Sequence, residues 1–207
     1  ALIKKISFQI SDDRVIDAIR LVPRSNFLPK EHQRLSQEDT ALPIGHGQTT
    51  SQPSLIGIML RELDIRIEDT VMEVGSGSGY VCAILSNLCY KVIGVERIQQ
   101  LLSFSRCNLH RLGIKNVHLR LAEQKVRPRT NELFSKIIVS AALPKIPSGI
   151  LENLDLNGTL ICPVGSLDLQ RLVKIEKTVR GNQITTGLSC RFVPLIGKSG
   201  WAVRDLQ

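Results

Sequence analysis

The segment "VMEVGSGSGYV", residues 71–81, constrains the fold more than any other stretch of the chain. An apolar run ends in three glycines spaced two apart, Gly75, Gly77 and Gly79, and a helix-like run, "YVCAILSNLC", follows. Glycines are needed where a backbone must turn sharply and lie against a ligand without a Cβ in the way. A dinucleotide fingerprint would place its third glycine at position 80, which is Tyr80, and a P-loop would end in Gly-Lys-Ser/Thr, which is absent.

Around this loop the chain alternates. "TVMEVG" and "KVIGVE" read as strands, "IQQLLSFSRCNLHRLG" as a helix closed by Gly113, and "VHLRLA", "KIIVSA" and "GTLICPVG" as further strands. A helix is expected over "SGILENLDLNG". Alternation of this kind predicts an α/β fold, a doubly wound, mostly parallel, Rossmann-like sheet with helices on both faces. Upstream, "DDRVIDAIRLVP" places Val15, Ile16, Ile19 and Val22 on one helical face and stops at Pro23. A polar, irregular region is expected to about Pro53, then a helix over "SLIGIMLREL" with Leu55, Ile58, Met59 and Glu62 at helical spacing. The tail "LQRLVKIEKTVRGNQITTGLSCRFVPL" reads as an antiparallel meander turning at Gly181 and Asn182. The whole is expected to be one domain, 1–207: an N-terminal helix with a polar loop (1–53), a Rossmann-like core around the glycine loop (54–165) and C-terminal strands completing the sheet (166–207).

Composition excludes several function classes. A chain of 207 residues that is 43% hydrophobic can bury one substantial core, which at 4% aromatic must be mostly aliphatic. The net charge of +8 permits anionic partners, but Lys and Arg are spread out, and the densest run, "KVRPRT", has no aromatic for base stacking. Nucleic acid is therefore not the expected partner. Five cysteines with no C-x-x-C pair argue against a disulfide framework or a zinc site, and fit a reducing cytosol. No apolar run reaches the ~18–20 residues that span a bilayer, and the start lacks a signal peptide's pattern. A cytoplasmic monomer with no membrane contact and no metal is expected.

Glu73 ahead of the three glycines resembles motif I of class I S-adenosylmethionine methyltransferases. The resemblance implies S-adenosyl-L-methionine as cofactor, S-adenosyl-L-homocysteine as product, and Glu73, Gly75, Ser76, Gly77 and Gly79 as its binding loop. Glu96, ending the next strand, sits where a carboxylate can accept both ribose hydroxyls. Amino-methylating nucleic-acid enzymes carry Asn/Asp-Pro-Pro-aromatic where this chain reads "SAALPKIP". Cys162 precedes Pro163 within an apolar strand and reads as a core cysteine rather than a nucleophile, and Ser135 stands where a magnesium-binding Asp would help.

The segments "VIDAIRLVPRSNFLP", "EDTALPIGHGQTTSQP", motif I and "RFVPLIGKSGW" follow one another in that order. Together they resemble the protein-L-isoaspartate O-methyltransferases, over nearly the whole chain. The resemblance implies methylation of the abnormal carboxylate of isoaspartyl (and D-aspartyl) residues in damaged peptides and proteins, leading to repair through a succinimide. It implies that Ser51 orients the carboxylate, and that Gln48, Thr49 and Thr50 line the cofactor and peptide site. Gly45, His46 and Gly47 would contact substrate, and Val193, Pro194 and Leu195 would form the opposite wall. Such a site needs little machinery: an acceptor carboxylate is already ionised at pH 7, and union of an anion with a sulfonium is favoured by positioning and exclusion of water.

The chain departs from the family pattern at several points. Ala122, Glu123 and Gln124 replace a Gly-Asp-Gly run at the adenine site; Glu123 keeps the acceptor one methylene further out, and Ala122 adds bulk. Ser36 and Gln37 replace Ala-Tyr, and "QTTS" replaces "QTIS". Two alternatives stay open on these residues: the same scaffold acting on another acceptor (a modified peptide or RNA), and a cofactor-binding homologue without turnover.

Overall fold

A computed structural model describes residues 2–122, 132–146, 148–197 and 200–202. Its frame is a seven-stranded sheet of β3 (Thr70–Val74), β4 (Lys91–Glu96), β5 (Val117–Leu121), β6 (Phe134–Val139), β7 (Leu154–Gly165), β8 (Gln170–Thr178) and β9 (Gly181–Cys190), in the order β5-β4-β3-β6-β7-β8-β9. Strands β5, β4, β3, β6 and β7 run parallel, and β7, β8 and β9 form an antiparallel meander. The strand order reverses at β3, whose neighbours are β4 and β6. Open α/β sheets bind ligands at such a switch point, beyond the carboxyl ends of the strands.

Side chains on successive strand residues point to opposite faces, and the core divides accordingly. Val71, Val92, Ile138 and Ile161 pack in one buried cluster, while Met72, Ile93, Ile137 and Leu160 pack in another. The first cluster is covered by α1 (Leu2–Ile10), α2 (Asp13–Leu21), α3 (Pro53–Leu63) and α4 (Tyr80–Leu85). Asp12 caps α2 by accepting from the Arg14 and Val15 amides, and Val15, Ile16, Ile19 and Val22 are buried as their spacing requires. On α3 the buried stripe is Ile56, Met59, Leu60 and Leu63; Leu55, Ile58 and Glu62 lie at its margin. Helix α5 (Gln99–Arg111) ends at Gly113, with φ +67.

Three local expectations change. The helix expected over residues 148–158 stops after one turn, α6 (Ser148–Leu151), because Leu154 already pairs with Phe134 across the sheet. The meander turns at Val179 and Arg180, and Gly181 opens β9 opposite Thr178. The region before Pro53 is ordered: two 3₁₀ turns, Arg24–Phe27 and Lys30–Leu35, lead into a hairpin of β1 (Leu42–Gly45) and β2 (Gln48–Thr50). Leu42 and Ile44 anchor that hairpin in a small cluster with Leu28 and Leu101.

Candidate active site

The glycine loop between β3 and α4 is built on left-handed backbone. Gly75, Gly77 and Gly79 have φ of +86, +53 and +87, a region that L side chains adopt only under strain. A Cβ on Gly79 would stand 2.3 Å from Ser105 Oγ on α5, so the loop also packs too closely for any larger residue. The Gly75 and Ser76 amides donate to Val95 O at 2.8 and 3.1 Å, tying the loop to the end of β4.

That end carries Glu96, whose two carboxylate oxygens accept from the Gly77 and Ile98 amides, each at 2.9 Å. Each oxygen keeps a lone pair for a further donor. Glu73 lies deeper, 1% exposed, and accepts from Ser140 Oγ at 2.8 Å and Cys82 Sγ at 2.9 Å. Burial pushes its carboxyl up to about 7; the two hydrogen bonds oppose the rise and the nearby Glu96 adds to it. Burial also raises the Cys82 thiol, reinforced by Glu73.

Two cavities open beyond the carboxyl ends of the strands. The larger, about 500 Å³, is lined by Gly75, Gly77, Glu96 and Ala122 on one side and by Gln48, Thr49, Pro194 and Leu195 on others. The smaller, about 340 Å³, runs between Ser51 and Gln52 and the segment after β9, with Arg191, Phe192 and Val193. Thr49, Ser140 and Val193 line both, and so form the partition between them. Beneath it a minor pocket holds Glu73, Ser76, Thr50, Ser51 and Tyr80. Ser76 Oγ is buried there without a hydrogen-bond partner. An orphaned hydroxyl beside a buried carboxylate, with Glu96 facing the larger cavity, fits a ligand bearing both an ammonium group and ribose hydroxyls.

The hairpin is held from behind by Arg24, itself 2% exposed. Its guanidinium donates to Glu38 O at 2.9 Å, Thr40 O at 2.7 Å and Ser51 O at 3.2 Å. Asp39 fixes the start of α3, accepting from the Ser54 amide at 2.9 Å and Gln52 Nε2 at 3.1 Å. Burial lowers the Arg24 pKa, and Tyr80 and Asp39 oppose that fall. Tyr80 is pushed up to about 12 by the same burial.

The sequence model described as "Protein-L-isoaspartate(D-aspartate) O-methyltransferase (PCMT)" matches residues 1–200. The chain belongs to that family. A protein-L-isoaspartate O-methyltransferase of Petrotoga mobilis is 41% identical, covering 93% of this chain and 91% of its own. One of Methanoculleus marisnigri is also 41% identical, covering 93% and 87%. A Plasmodium falciparum structure described as a protein-L-isoaspartate O-methyltransferase in complex with S-adenosyl-L-homocysteine superposes with a TM-score of 0.81, at 27% identity, over 93% of this chain and 95% of that one.

Set against the family's expected residues, the structure brings Gln48, Thr49, Gly75, Gly77, Glu96, Ala122, Val193, Pro194 and Leu195 to the larger cavity. Glu73, Ser76 and Thr50 line the minor pocket, with Ser51 shared between that pocket and the smaller cavity. Gly79 lines none of the three and serves as the N-cap of α4. Gly45, His46 and Gly47 form the tip of the hairpin, all at positive φ, and line none of the three either. Glu123 and Gln124 lie outside the described residues. Ser140 and Arg24 were not anticipated. Ser140 carries a usable signal, since it follows β6 at the carboxyl edge of the sheet; Arg24, between Pro23 and Ser25, carries none. Among the described residues, no group of three or more His, Cys, Asp or Glu side chains could hold a metal ion, and no helix is long and apolar enough to cross a membrane.

Proposed function

We propose that this chain transfers a methyl group from S-adenosyl-L-methionine to the free carboxylate of L-isoaspartyl (and D-aspartyl) residues in damaged peptides and proteins, the first step of repair through a succinimide. The observation that carries the reading is the partition of Thr49, Ser140 and Val193, which two separate cavities share. A methyl donor and an acceptor bound on either side would meet there.

In this reading the larger cavity takes the cofactor. Glu96 accepts from the ribose hydroxyls, the glycine loop lets backbone lie against the ligand, and Glu73 with Ser76 faces the amino-acid end. Ala122 borders the adenine, and Glu123 is assigned there by family resemblance. When bound, the cofactor supplies an electrophilic sulfonium methyl. The smaller cavity takes the peptide, with Ser51 donating to the acceptor carboxylate and Val193 beside it. Gly45, His46 and Gly47 belong to the cover that the hairpin forms over the site. No residue needs to remove a proton, because the acceptor is ionised at neutral pH. The residues' work is to align the carboxylate and shed water, which favours a reaction that cancels charge. The reading takes the chain to act as a monomer, and five free thiols support a reducing, cytoplasmic setting.

The test is methyl transfer from labelled cofactor to an isoaspartyl peptide and to its aspartyl isomer. Base-labile label on the first alone is expected; equal labelling of both would refute the acceptor assignment.

A further inference from the structure

The smaller cavity changes character along its length. Beside the partition it carries the hydroxyls of Thr49, Ser51 and Ser140. Two elements lead away from there. Helix α3 contributes Leu55 and Ile58, three residues apart and so on one side of the helix. From its start at Pro53 to Ile58 the helix rises ~8 Å, about two residues of extended chain. Opposite, the chain runs back from Val193 through Phe192 and Cys190 to Leu188 near the end of β9. Leu55 and Ile58 are half-buried and Leu188 is 39% exposed, so apolar surface is left open where the two walls face each other. At about 340 Å³ the cavity is larger than one carboxylate requires.

Both walls are fixed in place. Arg61 donates to the Gln9 and Ile10 carbonyls at 3.2 and 3.3 Å, fastening the end of α1 against α3 where Gln9 lines the cavity. Gln170, fully buried, accepts from the Phe192 amide at 2.9 Å and holds the opposite wall. Gln9, Ser189 and Arg191 complete the polar part of the lining, and no carboxylate belongs to it among the described residues.

We propose that this extension is a side-chain subsite, which takes a branched aliphatic or aromatic residue lying one or two positions from the isoaspartyl residue of the acceptor. The inference rests on the acceptor reading given above. With the acceptor carboxylate on Ser51, the neighbouring side chain leaves water for Leu55, Ile58, Leu188 and Phe192. A lysine there would lose hydration and meet no carboxylate in return. The subsite touches no reacting atom and is filled equally before and during transfer, so it acts on KM and not on kcat. It directs the enzyme to damaged segments rich in apolar residues. Such segments face the core of an intact protein and become available when it unfolds.

The experiment is steady-state transfer at saturating cofactor to a set of isoaspartyl peptides. One has glycine at the two positions on either side of the isoaspartyl residue; the others carry a single leucine, or a single lysine, at one of those four positions. At the best position leucine is expected to lower KM about tenfold against glycine, the worth of a largely buried aliphatic side chain. Lysine at that position should not lower it, and kcat should agree among the peptides within about twofold. Leu188→Asn and Ile58→Asn should each cut the leucine preference to about threefold or less, and Leu188→Met and Ile58→Val should keep most of it. If Ile58→Asn does not fold, the two Leu188 variants, on a strand exposed along its length, decide alone. Equal KM for glycine and leucine peptides at all four positions would overturn the proposal and leave the acceptor reading standing. A leucine preference undiminished in the Asn variants would overturn it too. An unmodified chain that labels no isoaspartyl peptide would instead refute the acceptor reading, and this inference with it.

Discussion

Glu73 ionises in a place where water cannot help it, and the fold must bear that cost. The carboxyl is 1% exposed and its pKa stands at about 7 against an ordinary 4.5. At ~1.4 kcal/mol per pKa unit, the ionised form destabilises the folded chain by about 3 kcal/mol. The direction follows from proton uptake. Between pH 4.5 and 7 the folded state holds a proton that the unfolded chain releases, so this group's contribution falls as pH rises. The cost is absent below about pH 4.5 and fully developed above about pH 7. Glu73→Gln keeps the shape and removes the titration. Thermal unfolding of the cofactor-free chain and of this variant at pH 5 and pH 8 isolates the term as a difference of differences. The variant should gain about 2.5 kcal/mol on the parent over that interval, or about 5–10 °C in Tm for a chain of this length. A Tm gap that stays constant from pH 5 to pH 8 would refute the buried-ionisation argument.

Two further predictions concern the hairpin. Ser51→Ala should slow transfer about tenfold through loss of one charge-assisted hydrogen bond, with S-adenosyl-L-homocysteine affinity unchanged by calorimetry; full activity would make the hairpin only a cover. Arg24→Met strands the carbonyls of Glu38, Thr40 and Ser51 and should cost about 2–4 kcal/mol in urea unfolding. Arg24→Lys should recover only part of that, since an ammonium lacks the guanidinium fork.

Local chemistry is what the sequence discloses best. The β3 strand, the glycine loop and Glu96 were readable because their requirements lie within a few residues: a β-branched run, left-handed turns, and a carboxylate at a strand end. The error over residues 148–158 has the opposite cause. "ILENLDL" satisfies a helical spacing, and only the pairing of Leu154 with Phe134, distant in sequence, makes it strand. The hairpin was hidden because its strands are four and three residues long, with Leu42 and Ile44 as the apolar anchors. Ser140 becomes a site residue only when β6 is laid beside β3, and Arg24 only when three carbonyls from later in the chain converge on it. The family's flap and tail segments supplied what periodicity could not: Gln48, Thr49, Ser51 and Val193 line the cavities, whereas His46 at the hairpin tip does not.

The central claim is that an acceptor carboxylate meets the methyl donor at the partition of Thr49, Ser140 and Val193. The most direct measurement is a crystal structure of the chain with S-adenosyl-L-homocysteine and an isoaspartyl peptide together. The account predicts the nucleoside in the larger cavity with its ribose on Glu96, the peptide in the smaller one, and the isoaspartyl carboxylate on Ser51 with one oxygen in line with the sulfur. A peptide seated on the outer face of β9, or a nucleoside in the smaller cavity, would contradict it.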